Sequence, residues 1–347
     1  MSFQTISDTI DQALASAGLK PDPDRVKGIA QTIRRAFAKA GISRQPPPTY
    51  APDAPKARRP PVPRPGNGTF LKRSFSNAAG TRAYRLYVPA GHAAAPRPLI
   101  LMLHGCKQNP DDFALGTRMN ELADEHGFLV AYPAQAANAN GANCWNWFRP
   151  GDQARDTGEP AILAGIVDAI AAEHRVDRRR VFVAGLSAGA AMAVILGETY
   201  PEVFAAVGAH SGLPYRAARD VASAFAAMQR GGTGLATDAP AAGAPTIVFH
   251  GDSDATVALS NGDAIVARAL GAATQDLLRT QRIEPASATS RGYTSIAYLT
   301  PDGRPRVEQW TLHGAAHAWS GGHPQGSYTE AQGPDASAQM VRFFLAQ

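Results

Sequence analysis

Ser187 carries the strongest chemical signature in this sequence. It lies in the pentapeptide Gly-Leu-Ser-Ala-Gly at 185–189, between the apolar β-branched run 181–184 and an Ala-rich stretch of helical composition. A Gly-x-Ser-x-Gly segment between a strand and a helix forms a sharp turn that exposes the serine, and the glycines let strand and helix cross closely. A serine held in such a strained turn is suited to act as a nucleophile.

An acid and a base follow Ser187 in the order that a nucleophilic serine needs. One strand-like run leads into a turn with two carboxylates, Asp252 and Asp254. A later run leads into a loop with two imidazoles, His313 and His317. In α/β-hydrolases the acid follows a later strand, and the base follows the acid. The order Ser, Asp, His is therefore met, with two candidates for each of the last two roles.

A third feature precedes the serine. The apolar run 99–103 leads into His104-Gly105-Cys106. After an early strand, a backbone N–H can face the oxygen that becomes negative when a nucleophile attacks an acyl carbonyl. The His104 ring is interpreted as a structural group that holds this loop. Together these features predict acyl transfer by a serine nucleophile.

The same residues resemble the poly(3-hydroxybutyrate) depolymerase-type esterases, which are α/β-hydrolases related to feruloyl and acetylxylan esterases. The resemblance extends from about Gly68 to the C-terminus. It is carried by four segments: His104-Gly105-Cys106-Lys107-Gln108, Cys144-Trp145-Asn146-Trp147-Phe148, the elbow that begins at Gly185, and Ser211-Gly212-Leu213-Pro214-Tyr215. These motifs are specific for the family and much less specific for a substrate.

The resemblance implies a complete acyl-transfer site that uses neither a metal nor an organic cofactor. Its members are the nucleophile Ser187, the acid Asp254, the base His317, and an oxyanion hole made by the backbone N–H groups of Cys106 and Ala188. The family places a valine three residues after the acid, which favours Asp254 over Asp252. Its Gly-x-x-His-x-Trp pattern favours His317 over His313.

The two cysteines and three of the tryptophans are the next candidates. In the family the positions of Cys106 and Cys144 commonly hold cysteines that form a disulfide. The resemblance thus implies a bridge between the loop that begins at His104, here called the oxyanion loop, and the aromatic segment that begins at Cys144. The alternative is two buried thiols that pack as small apolar groups. We expect three aromatic rings near the mouth of the site to bind substrate, namely Trp145, Trp147 and Trp319. For Trp147, core packing is the alternative. Two cysteines without a nearby His pair do not match metal-ligand spacing.

Composition divides the chain into three parts. Residues 1–44 show helical spacing of apolar side chains, 45–67 form a Pro-rich basic linker, and 68–347 form the catalytic domain, in which strands and helices alternate. We predict an α/β fold with a mostly parallel sheet covered by helices on both faces, preceded by the helical segment. Remaining polar residues near strand ends, namely His210, Ser211 and His250, are interpreted as structural.

Charge and targeting features bear on partners and compartment. Residues 1–65 hold 11 basic and 5 acidic residues, a net +6 against +5 for the whole chain. This segment could act as a weak electrostatic tether to an anionic surface, although a solvated helical face explains it too. No nucleic-acid motif and no transmembrane stretch is visible. The N-terminus lacks an export signal, which at face value indicates the cytoplasm, whereas the resemblance and the expected disulfide favour export.

The expected substrate is an ester. The resemblance favours polyester, its oligomers or short-chain esters, with feruloyl or acetyl groups on plant polysaccharide as the alternative. A serine peptidase of the same fold would show the same residue order, but such enzymes usually carry further recognition elements that this sequence lacks. A non-catalytic, granule-associated protein would not need to retain all parts of the site.

Overall fold

Ten strands form one mixed sheet at the centre of the protein. They are seen in a computed structural model that describes residues 66–91, 95–232, 243–271, 273 and 276–347. The strands are β1 (Thr69–Asn77), β2 (Gly80–Val88), β3 (Arg97–Leu103), β4 (Leu129–Pro133), β5 (Val176–Leu186), β6 (Ala206–His210), β7 (Thr246–Gly251), β8 (Leu278–Glu284), β9 (Tyr293–Leu299) and β10 (Pro305–Leu312). Their order across the sheet is β1-β2-β4-β3-β5-β6-β7-β10-β9-β8.

The six central strands run parallel, and the two strands at each edge pair antiparallel. The central strands are apolar and buried on both faces, as β3 and β4 show, which is typical of a sheet covered on both sides. Because the carboxyl ends of parallel strands meet at one edge of a sheet, residues that follow β3, β5, β7 and β10 lie near each other.

Helices cover both faces of the sheet. They are α1 (Pro110–Thr117), α2 (Met119–His126), α3 (Gly158–Glu173), α4 (Ala188–Thr199), α5 (Val221–Arg230), α6 (Ser260–Gly271) and α7 (Ala336–Leu345), with a 3₁₀ turn at Pro150–Asp152. One apolar core joins α3, α4, α5 and α6 to the sheet, with Ile166 and Met192 fully buried. A second core joins α1, α2 and α7 to the other face, with Phe113 and Phe343 fully buried. A pair of two-residue strands, β11 (Trp319–Ser320) and β12 (Thr329–Glu330), lies outside the main sheet.

The α/β-hydrolase architecture predicted from the sequence is confirmed, and two of its elements differ in detail. The segment 111–125 is not one continuous helix but parts of two, because Arg118 adopts a left-handed conformation (φ 55°) between α1 and α2. The edge strand β8 was not predicted. Its residues are almost all exposed, so the strand shows no apolar alternation in the sequence.

Several expectations concern residues outside the described part of the chain. They are the helical segment 1–44, nearly all of the linker 45–67, and the electrostatic tether built on both. Among the residues that the structure describes, none of the helices is long and apolar enough to cross a bilayer.

Candidate active site

Ser187 lies in the sharp turn between β5 and α4. Its backbone has φ 58° and ψ −119°, a conformation that few non-glycine residues adopt. The two flanking glycines make the turn possible. A Cβ on Gly189 would lie 2.0 Å from the Leu103 carbonyl oxygen, and one on Gly185 would lie 2.4 Å from the Gly189 carbonyl carbon. The Ser187 N–H donates to the His210 carbonyl at 2.9 Å, which fixes the turn to β6.

Asp254 and His317 form a close pair at the same edge of the sheet. His317 Nδ1 lies 2.7 Å from Asp254 Oδ2, and the Asp254 side chain has no exposed surface. The other carboxylate oxygen accepts the N–H groups of Thr256 at 2.9 Å and Val257 at 2.8 Å. Burial alone would raise the pKa of Asp254, but the bond to His317 and these two N–H groups outweigh it and hold the pKa below its usual range. The carboxylate is therefore ionised and oriented towards the imidazole.

His250 packs against Asp254 and the turn that follows it. Its Nε2 lies 2.9 Å from the Val257 carbonyl and 3.6 Å from Asp254 Oδ2. Burial lowers the pKa of His250, so the ring is neutral near pH 7. Its place at the end of β7, packed within the protein, agrees with the structural interpretation.

Asp252 and His313, the alternative acid and base, pair with each other. His313 Nδ1 lies 3.1 Å from Asp252 Oδ2, and the second ring nitrogen of His313 lies 3.0 Å from Thr294 Oγ1. This second pair is more exposed, with 35% of the Asp252 side chain and 43% of the His313 side chain accessible. Since both nitrogens of His313 already have partners, neither is available to Ser187.

No hydrogen bond joins the Ser187 hydroxyl to His317 in the described part of the chain. In substrate-free acyl-transfer sites this bond is often long and tightens only when substrate is bound. The two residues are placed at the same edge, after β5 and β10, and Ser187 and the loop that carries His317 both bond to His210. Ser187 bonds its carbonyl, and the Ser320 N–H, three residues after His317, donates to its Nε2 at 3.0 Å.

His210 is a fully buried neutral imidazole. Burial lowers its pKa to about 3, with the nearby His250 and His317 adding to the shift. Its ring stacks on Phe249 and Trp319 at centroid distances of 5.8 and 5.2 Å. Ser211, also buried, has φ 52° and lies 3.2 Å from His210 Nδ1 through its hydroxyl. Both residues hold the ends of neighbouring strands in place.

The loop after β3 lies directly against the elbow. A Cβ on Gly105 would be 3.6 Å from Ser187 Cβ. The Gly105 N–H donates to Gln108 Oε1 at 2.9 Å, which turns the loop back on itself. Among the described residues, neither the Cys106 N–H nor the Ala188 N–H donates to a protein acceptor. Two unpaired backbone donors beside a candidate nucleophile are what an oxyanion hole would require.

The His104 ring fixes this loop, as expected. One ring nitrogen lies 2.8 Å from the Gly105 carbonyl, and the other accepts the Gln135 N–H at 3.1 Å. Burial lowers the pKa of His104 to about 4, so it is neutral at pH 7.

The Cys106–Cys144 disulfide is formed, with the two Cα atoms 4.2 Å apart. It ties the oxyanion loop to the segment Cys144–Asn146. A buried carboxylate, Glu159, holds that segment by accepting the Asn146 N–H at 2.7 Å and the Asn146 amide at 2.8 Å. Glu159 also bonds the Gln135 amide, and burial raises its pKa. Sequence reasoning missed this network, because its buried polar residues are brought together from distant positions and carry no motif.

Trp145 and Trp319 are buried and do not lie at the mouth of the site, and the burial of Trp147 agrees with its alternative, core packing. Trp145 and Trp319 are 0% and 1% exposed, and their ring N–H groups donate to the His104 carbonyl at 3.1 Å and to Ser337 Oγ at 3.0 Å. Trp147 is 6% exposed and packs in the core on the α4 face. Rings with so little accessible surface cannot bind substrate directly, so the expectation for Trp145 and Trp319 is corrected. They support the loops that carry the candidate residues.

Comparison with known proteins gives the family. The chain matches the family "Esterase PHB depolymerase" over residues 82–279, more than half of its length. It is 34% identical over 255 residues to poly(3-hydroxyalkanoate) depolymerase C of Paucimonas lemoignei, covering 70% of this chain and 60% of that protein. It is 35% identical over 150 residues to feruloyl esterase B of Neurospora crassa, covering 43% of this chain and 50% of that protein. The chain thus spans about half to three fifths of the length of these two relatives.

A solved structure supports the fold. The acetyl xylan esterase from Aspergillus awamori superposes with a TM-score of 0.62 at 18% identity, covering 81% of this chain and all of that one. This likeness concerns architecture alone. The sequence match places the chain in the family "Esterase PHB depolymerase", and the shared fold agrees with its α/β-hydrolase architecture.

Proposed function

We propose that this protein is a carboxylic-ester hydrolase that works through an acyl-enzyme on Ser187. The observation that carries the proposal is the buried pair of Asp254 and His317, 2.7 Å apart, at the sheet edge where the strained Ser187 turn lies. A buried, ionised carboxylate that holds an imidazole in one orientation is the arrangement by which serine hydrolases activate their nucleophile.

In the first half of the reaction, His317 Nε2 takes the Ser187 proton while Oγ attacks the ester carbonyl. The carbonyl π electrons move to oxygen, and the Cys106 and Ala188 N–H groups stabilise that oxyanion. As the carbon–oxygen bond to the alcohol breaks, the protonated imidazole returns the proton to the leaving alkoxide. The products are a free alcohol and an acyl group on Ser187.

In the second half, His317 takes a proton from water, whose oxygen attacks the acyl carbon. The same two N–H groups stabilise the second oxyanion. Its collapse returns the proton to Ser187 and releases the carboxylic acid. Asp254 stabilises the imidazolium in both halves and remains ionised, since the interactions that lower its pKa persist throughout.

For the substrate we propose a polyester of the poly(3-hydroxybutyrate) type, its oligomers or short-chain esters. The support is the family match and the depolymerase relative at 34% identity. The second candidate is a feruloyl or acetyl ester of plant polysaccharide, which the similarity to feruloyl esterase B favours.

The proposal is tested with initial rates on three substrates in parallel: amorphous poly(3-hydroxybutyrate), methyl ferulate and acetylated xylan. We expect hydroxybutyrate release by the wild-type chain and none by Ser187→Ala, which should fold normally. Release of ferulate or acetate without hydroxybutyrate would assign the protein to polysaccharide esters. Undiminished turnover by Ser187→Ala would refute the mechanism.

A further inference from the structure

Tyr328 is an exposed aromatic residue beside the candidate site. Among the described residues, five large apolar side chains are exposed: Val221, Phe225, Leu278, Ile283 and Tyr328. The first two lie on α5 and the next two on the edge strand β8. Tyr328, 44% exposed, comes immediately before β12.

The backbone pairing of β11 and β12 brings Tyr328 to the loop that carries the proposed base. These strands are parallel, with Trp319 opposite Thr329. The Trp319 N–H donates to the Tyr328 carbonyl at 2.7 Å. The backbone of Tyr328 is therefore bonded to the loop that carries His317, two residues beyond that histidine.

The residue before Tyr328 is tied to the oxyanion loop. The Gln108 amide donates to the Ser327 carbonyl at 2.9 Å, and Gln108 Oε1 accepts the Gly105 N–H. The Ser327 N–H also donates to Asp112 Oδ1 at 2.9 Å. Tyr328 is thus held between the base loop and the oxyanion loop.

The backbone of Tyr328 is strained and fixed. Its φ is 52°, a left-handed conformation that is unusual for a bulky side chain and that glycine or asparagine adopts more readily. On its other side, the Thr329 hydroxyl bonds the carbonyls of His323 at 2.9 Å and Gly326 at 3.0 Å. The turn itself does not need a tyrosine, and the ring gains little from burial. Strain of this kind next to a catalytic site is a reason to look for a function in the side chain.

We propose that Tyr328 contacts the alcohol part of the ester substrate. This inference rests on the proposed function. His317 must return its proton to the leaving alkoxide, so the alcohol lies on the His317 side of the scissile bond. The backbone of Tyr328 is bonded to the loop that carries His317, and its exposed side chain has an apolar ring face and a polar tip. It suits an uncharged alcohol large enough to reach a ring, such as an aryl alcohol or the next hydroxyacyl unit of an oligomer.

The proposed contact has a specific kinetic consequence. The alcohol departs when the acyl-enzyme forms. Tyr328 therefore contacts the substrate during acylation and contacts nothing that takes part when water attacks the acyl group. Removing the ring should lower kcat/KM for esters of large alcohols. The rate of hydrolysis of the common acyl-enzyme should not change.

The test uses the full chain and two substrates with one acyl group, methyl butyrate and phenyl butyrate. In Tyr328→Gly we expect kcat/KM for phenyl butyrate to fall about fivefold more than for methyl butyrate, the size of one aromatic contact. The melting temperature should stay the same or rise, because glycine relieves the left-handed strain. Tyr328→Phe should retain most of the wild-type preference.

Ile283→Ala is the matched control, since Ile283 is 65% exposed but lies on the far edge strand. An equal effect of Tyr328→Gly on both esters, or the same effect in Ile283→Ala, would overturn the inference. Ser187→Ala separates the two proposals. If it abolishes turnover while Tyr328→Gly keeps the wild-type preference, only the role of Tyr328 fails. If Ser187→Ala remains active, the proposed function fails as well.

Discussion

Two Asp–His pairs lie side by side after β7 and β10, and burial distinguishes them. The Asp254 carboxylate is inaccessible to solvent, whereas the Asp252 side chain is 35% exposed. In a low-dielectric environment a charge-assisted hydrogen bond is stronger and better oriented than at the surface. Asp252 instead holds the base loop in place, because its other oxygen accepts the Gly314 N–H at 2.6 Å. The pKa of Asp252 is also lowered by His313 and Gly314, against the opposing effect of burial.

This difference predicts unequal effects of the same substitution. Asp254→Asn should lower kcat on the order of a thousandfold, because the amide favours the wrong imidazole tautomer and cannot stabilise the imidazolium. Asp252→Asn serves as its matched control and should stay within about threefold of wild type. The measurement is kcat on phenyl butyrate, with melting temperatures to verify folding. A larger loss in Asp252→Asn would exchange the two roles.

The oxyanion loop is cross-linked to a segment 38 residues away in the sequence. The Cys106–Cys144 disulfide, the buried Glu159 and the His104 ring all restrain the loop whose N–H groups face the substrate oxygen in our proposal. Each restraint reduces the conformational freedom of the oxyanion loop before the reaction, so less entropy is lost when the transition state forms.

Removing the cross-link should therefore affect the chemical step more than binding. In the Cys106→Ser/Cys144→Ser variant we expect kcat to fall on the order of tenfold with KM little changed, since a displaced oxyanion donor weakens transition-state stabilisation. The free energy of unfolding should fall by about 4 kcal/mol, by the entropy of a loop of this length. Wild-type protein reduced with dithiothreitol should behave alike, and an unchanged kcat would show that the loop needs no such restraint.

Motif order made the fold and the candidate residues predictable, whereas tertiary burial did not follow from sequence. Strands that alternate with helices imply a parallel sheet, so residues after β5, β7 and β10 had to meet at one edge. The strand β8 could not be recognised, since both of its faces are solvated and it lacks apolar alternation. Nor could the sequence tell that Trp145 and Trp319 point into the cores, because aromatic residues near a site serve packing or binding equally well.

For the whole molecule, the sheet acts as a frame that collects the site at one edge. The six parallel strands place the elbow, the oxyanion loop and both Asp–His pairs there, with an apolar core on each face. The basic excess of the chain belongs to residues 1–65 of the sequence. The role of that segment as an electrostatic tether stays a prediction.

Trapping the acyl-enzyme would test nucleophilic catalysis by Ser187 directly. The full chain is mixed rapidly with phenyl butyrate, quenched in acid, weighed by intact-protein mass spectrometry and digested to locate the modification. We predict a butyryl group on the peptide that contains Ser187 and no adduct in Ser187→Ala, which should be inactive. Two results would contradict nucleophilic catalysis by Ser187: phenol release at the wild-type rate by a protein that carries no butyryl adduct, or a butyryl adduct on another residue.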